Sequence, residues 1–203
     1  VTTTGDSTFG GSVAVDDQGL SVTSGAINFA STLTSTTAGD LSLNNSGLLS
    51  LSDDINSAGS FQQSGAGAVD LNGDINTADS VDFAGAVDLL SDVTIDTGTG
   101  TGDVTFAEPV DGDVLLSALA GSGDVAFNGN VGSTTPLSGL DVTTTGDSTF
   151  GGPVAVDDQD LSVTSDAINF ASTLTSTNAG DVSLANSGLL TLSGDVSSAG
   201  LFD

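Results

Sequence analysis

Aspartate is the one side chain in this sequence with much capacity for chemistry. It supplies 26 of the 27 acidic residues, Glu108 is the other, and Lys, Arg, His and Cys are absent. Carboxylates alone can bind a hard cation, or work in pairs on a glycosidic bond. Calcium is the sharper expectation. Asp54, Asp74 and Asp92 each precede an apolar residue at a recurring place in the sequence, and Asp195 repeats that place further on. Asp16-Asp17 and Asp157-Asp158 form a second repeated cluster. If such rows stack in neighbouring turns of a repeat fold, carboxylates about 5 Å apart repel, and a cation between them relieves the repulsion. The competing reading is an Asx turn, in which each aspartate caps its own backbone and faces water. Neither the Gly-Gly-x-Gly-x-Asp calcium repeat nor an EF-hand loop is present. No cofactor is therefore expected to be required, with calcium the one candidate.

Catalysis has little else to draw on. There is no His for a triad or a catalytic metal, no Lys or Arg to neutralise a uronate, and no Trp or Tyr to stack a sugar. The expectation is a protein that is not an enzyme, with a β-helical carbohydrate-active enzyme as the weakest alternative. The formal charge of −27 has no internal counter-charge. Nucleic acid is excluded as a partner, because neutralising phosphates needs Lys or Arg. No apolar run is long enough to span a membrane as a helix, so membrane insertion is not expected.

What positions these carboxylates is a repeat. Residues 1–62 recur at 142–203 without a gap and with 50 of 62 positions identical, so 141 residues separate equivalent positions. The chain therefore reads as a window on a longer periodic protein, one continuous unit over 1–203. A shorter beat runs inside the large one: apolar-x-apolar-x-x-x-apolar, as in Ile27/Phe29/Leu33, Leu49/Leu51/Ile55, Val69/Leu71/Ile75 and Ile168/Phe170/Leu174. With first positions at 7, 27, 49, 69, 87, 104, 125, 148, 168 and 190, the mean step is 20.3 residues, and seven steps fit one large unit. Between 79 and 103, Val81/Phe83 and Val87/Leu89 compete for the same place.

Alternation of apolar with Ser, Thr or Asp means short strands with one buried face. Gly-Asp pairs at 39–40, 102–103, 123–124, 146–147 and 180–181 mark turns. No helical spacing is sustained anywhere. The expected fold is all-β: a parallel β-helix, or β-solenoid, of about ten coils of ~20 residues, with tandem β-sandwich domains as the alternative. Regular apolar spacing, a mean hydropathy of +0.21 and 37% apolar residues argue against disorder despite the charge. In-register stacking places Ile27 over Leu49 over Val69. Phe9, Phe29, Phe83, Phe106, Phe127, Phe150 and Phe170 are core, and Phe61 and Phe202 correspond across the duplication. Thr-x-Thr pairs at 32/34 and 97/99 shift place between coils, unlike the strict ladder that an ice-binding face needs.

Units such as Gly102-Asp103-Val104-Thr105-Phe106 and Gly123-Asp124-Val125-Ala126-Phe127-Asn128-Gly129-Asn130-Val131 resemble the β-strand repeats of giant bacterial surface proteins. These are filamentous-haemagglutinin-like and autotransporter-type adhesins. The resemblance implies a right-handed parallel β-helix, exported to the cell surface as an adhesin, fibre or biofilm component. The chain departs from that family in lacking every basic residue. The resulting expectation is an extracellular structural or adhesive fibre segment, forming a rod, stalk or filament. Its partners are copies of itself or other cell-surface components. The alternative is a calcium-dependent binding module with Asp-lined ion sites.

Overall fold

Ser, Thr, Asp and Gly disfavour helix and leave extended backbone as the way to bury so many evenly spaced Val, Leu, Ile and Phe side chains. The computed structural model describes residues 1–178 and 180–203, and among them every regular element is a strand. The strands are short, mostly three residues, and all pairings are parallel. They stack into a β-solenoid of about nine turns of about 21 residues. At ~4.8 Å per turn the rod is on the order of 40 Å long.

Each turn lays one strand on each of three faces. The first face begins with Ser7–Phe9 and runs through Ile27–Phe29, Leu49–Leu51, Val69–Leu71, Val87–Leu89 and Val110–Asp111. Val131 bridges Val110 to Val154, so Val154–Val156, Leu174–Ser176 and Val196–Ser198 continue that face. The second face runs from Val13–Val15 to Val182–Asn186, and the third from Leu20–Ser24 to Leu190–Leu192. Ile27 does pair with Leu49 and Leu49 with Val69, as expected.

The single column of first positions does not survive. Positions 7 to 87 lie on the first face, but Val104 pairs with Val81 on the third, and Val87 pairs with Val110 on the first. Val81–Phe83 and Val87–Leu89 are both strands, one corner apart. The reason is geometric. A coil of about 21 residues with three faces repeats apolar-x-apolar about every seven residues, and a triplet of period two carries no mark of its face. The large unit is therefore not seven coils. Counting Val131, twenty strand steps separate Ser7 from Ser148, which is six and two-thirds turns.

Inward apolar side chains form one continuous buried core. Phe83, Phe106, Phe127, Phe150 and Phe170 stack on the third face with centroids 5.2, 4.9, 5.2 and 4.3 Å apart and planes within 8°. Phe9 and Phe29 make the same stack on the first face, 4.5 Å apart. Phe61 is buried on the third face and tilts 53° to Phe83, whereas Phe202 bridges Val182 on the second face and is 45% exposed. Among the described residues one inward group is unmatched: the Ser148 hydroxyl is buried between Val125 and Ile168 and has no hydrogen-bond partner. Ser148→Ala is expected to stabilise the rod by about 1 kcal/mol in urea melts, since it removes an unmet polar group. A loss of similar size would show that the hydroxyl does have a partner.

Candidate functional site

Apart from strand residues such as Asp70, Asp82, Asp88 and Asp111, the aspartates sit at the corners, where glycine and short polar residues let the chain turn. Most of them reach along the rod axis rather than back to their own backbone. The Asp103 carboxylate accepts the Asp124 N–H at 2.8 Å, Asp124 accepts the Asp147 N–H at 2.8 Å, and Asp147 accepts the Ala167 N–H at 3.1 Å. Asp6 to Ala26, Asp40 to Ser60, Asp160 to Asp181 and Asp181 to Leu201 repeat the contact at 2.6–2.9 Å. At the start of a strand this N–H points out at the corner, and a carboxylate one coil below meets it. The corner aspartates are thus staples between coils, a role the Asx-turn reading does not include.

The candidate calcium residues divide. Asp54 and Asp74 stack directly: Asp54 accepts the Asp74 N–H at 3.0 Å, and Asp74 in turn accepts the Thr94 N–H at 2.7 Å. Asp92 is out of line by two residues, because Ile75 pairs with Ile95 and not with Val93. Its carboxylate instead accepts the Leu115 N–H at 2.9 Å. Asp195 leads into the first face, not the second, so the duplication does not bring it to the Asp54 place. Asp16 follows a strand of the second face and accepts the Thr36 hydroxyl at 3.0 Å. Asp157 follows a strand of the first face and accepts the Thr177 hydroxyl at 2.6 Å. Asp17 and Asp158 are exposed. Among the described residues no three carboxylates converge in the manner of a metal cage.

Another acidic row escaped the sequence reading. Asp70 pairs with Asp88 and Asp88 with Asp111 on the outer side of the first face. Partial burial, followed by the charge of Asp88, raises the Asp70 pKa above the ordinary carboxylate value. Asp82, on the third face, is raised chiefly by burial, with a smaller push from Asp103. The hydroxyl of Thr36 lowers Asp16, and the N–H and hydroxyl of Ser60 lower Asp40. The signal for the Asp70 row was present as Val-Asp-Leu at 69–71 and 87–89, but the face assignment hid its third member.

The staples carry a prediction. Asp124→Ala leaves the Asp147 N–H to water and is expected to cost about 0.5–1 kcal/mol in urea melts. Asp124→Asn keeps an acceptor oxygen and removes a charge, and is expected to match or exceed the parent. Equal losses in both variants would mean that the charge, not the hydrogen bond, is what matters.

The corner surfaces are shallow and open, lined by Ser, Thr, Asn and Asp, as in the groove beside Thr145, Thr164 and Asp166. Fold and corners together define a repetitive, acidic, parallel β-solenoid. Comparison with protein-family models, curated proteins and solved structures finds no match.

Proposed function

We propose that this chain is a segment of an extracellular structural fibre, a rod or stalk that serves adhesion or matrix building at a cell surface. The observation that carries the reading is the parallel ladder: strands stack without a break on the second and third faces, single bridges at Val131 carry the first face across its one gap, and carboxylate staples join the corners. Such a stack turns chain length into reach, and each coil presents a new copy of a polar surface. The reading invokes no catalytic step, since the side chains offer no base beyond carboxylates and no Lys, Arg or His to activate a Ser or Thr hydroxyl. The partners of this reading are other copies, or other surface components.

The direct test is adherence. Beads coated with the purified chain should bind cells or matrix preparations more than uncoated beads, and electron micrographs should show rods and their end-to-end series. Isolated monomers with no adherence would sink the proposal. Calcium separates it from the binding-module alternative. The staple oxygens are already occupied by backbone N–H groups, so the thermal melt is expected to be unchanged in EDTA. Collapse of the β signal in EDTA, restored by calcium alone, would favour the ion-dependent module instead.

A further inference from the structure

We infer that the 141-residue unit displays its surface on a three-fold screw, so that equivalent elements of successive units face different sides of the rod. Such a rod links discrete partners arriving from several directions, whereas a planar surface engages only one unit in three. The inference deepens the fibre reading and takes its biological meaning from it, but the display geometry stands separately.

Pairing supplies the evidence. Ser7–Phe9 belongs to the first face, whereas its duplicate Ser148–Phe150 belongs to the third. Val13–Val15 is on the second face and Val154–Val156 on the first. Leu20–Ser24 is on the third and Leu161–Ser165 on the second. All three move one face in the same sense, because twenty strand steps do not divide by three. The displacement along the axis is six and two-thirds coils, about 32 Å at ~4.8 Å per coil.

Surface features follow the strands. The Asp16–Thr36 bond lies at the corner after the second face, and the matching Asp157–Thr177 bond at the corner after the first. Leu48, 42% exposed, juts from the corner between the third and first faces. Its duplicate Leu189 lies at the corner between the second and third. A partner that recognises either feature meets it twice on this chain, a third of a turn apart. With 27 acidic and no basic side chains on the rod, that partner brings positive charge to the contact.

The chain has no cysteine, so introduced thiols can be labelled cleanly. Thr8→Cys with Thr149→Cys places two labels on the first and third faces, and Thr8→Cys with Ala155→Cys places both on the first. Each pair, and Thr8→Cys alone, is coupled to desthiobiotin through a short linker. Far-ultraviolet circular dichroism verifies folding, and a two-to-one complex with free streptavidin verifies both labels. Dissociation from a dense planar streptavidin layer is then timed. The same-face pair is expected to leave at least about tenfold more slowly than the single label, through avidity, and the different-face pair at the single-label rate. Equal slowing of both pairs, or slowing of neither, would overturn the proposal. A failed adherence assay would leave this result untouched, so the two readings fail separately.

Discussion

Replacing Gln63 by leucine is expected to cost about 4 kcal/mol, more than any single corner aspartate, although Gln63 touches no candidate site. Its side chain is 1% exposed and lies in line with Leu43 below and Phe83 above. The third face is five residues wide at Leu41–Asn45 and three at Phe61–Gln63, so the coil narrows at this point. Gln63 closes the step. Its amide donates to Asn45 Oδ1 and to the Gly65 carbonyl, each at 2.7 Å, and its Oε1 accepts the Gly85 and Ala84 N–H groups at 2.9 Å. Asn45, wholly buried, donates to the Gly47 carbonyl at 2.7 Å. Leucine keeps the volume but strands at least three buried polar groups, each worth about 1–3 kcal/mol. A chemical melt measures the loss, and the Asn45→Leu/Gln63→Leu pair is expected to cost less than the two singles added, because each orphans the other. Strict additivity, or a loss under about 1 kcal/mol, would mean that water repairs the corner. Glycine makes the same corner possible. A Cβ on Gly65 or Gly67 would collide with the backbone of Asn45 or Gly47 in the coil below, so the Ser-Gly-Ala-Gly run at 64–67 is a requirement of close approach.

The Gln63 corner also marks where sequence reading stops. Strands, turns, parallel stacking and the aromatic core were legible, because each depends on period-two alternation and on Gly-Asp punctuation within a few residues. Face assignment was not, because Val81–Phe83 and Val87–Leu89 look alike and only non-local pairing tells them apart. That one ambiguity moved Asp195 away from Asp54 and hid the alignment of Asp70, Asp88 and Asp111. The staples were hidden for a related reason. Gly-Asp reads as a turn in any fold, and the N–H that Asp124 meets lies 23 residues further on. Nothing local marks Gln63 or Asn45 as buried, because amides are seldom buried. Their mutual bond spans 18 residues, one short coil, and appears only once the narrowing of the face is known.

The pH response follows from the charges that were left unpaired. Lowering the pH from 7 to about 4 is expected to raise the melting temperature, the reverse of ordinary acid denaturation. Acid usually unfolds proteins by protonating carboxylates that have cationic partners, and here there is no Lys, Arg or His to lose. Asp70 and Asp82 have raised folded-state pKa values, so the fold holds their protons more tightly than the open chain does. Stability therefore increases as pH falls toward those values and decreases as pH rises through them. Asp16 and Asp40 have lowered values, so their contribution is present above the unfolded value of 3.8 and is lost as pH falls through the lowered ones. The two signs place the maximum near the ordinary carboxylate range, with gain above it and loss below. The charge of Asp88 beside Asp70 is worth about 0.8 kcal/mol for carboxylates ~5 Å apart in water, a rise of roughly 2 °C for a chain of this size, to which the relief of burial adds. Added sodium chloride should yield part of the same gain at pH 7 by screening. The Asp70→Asn/Asp82→Asn variant should melt higher than the parent at pH 7 and gain less on acidification. A melting temperature that falls steadily between pH 7 and 4.5 would contradict the argument. It would mean that the carboxylates hold the rod together through bound cations, and that the corners are ion sites after all.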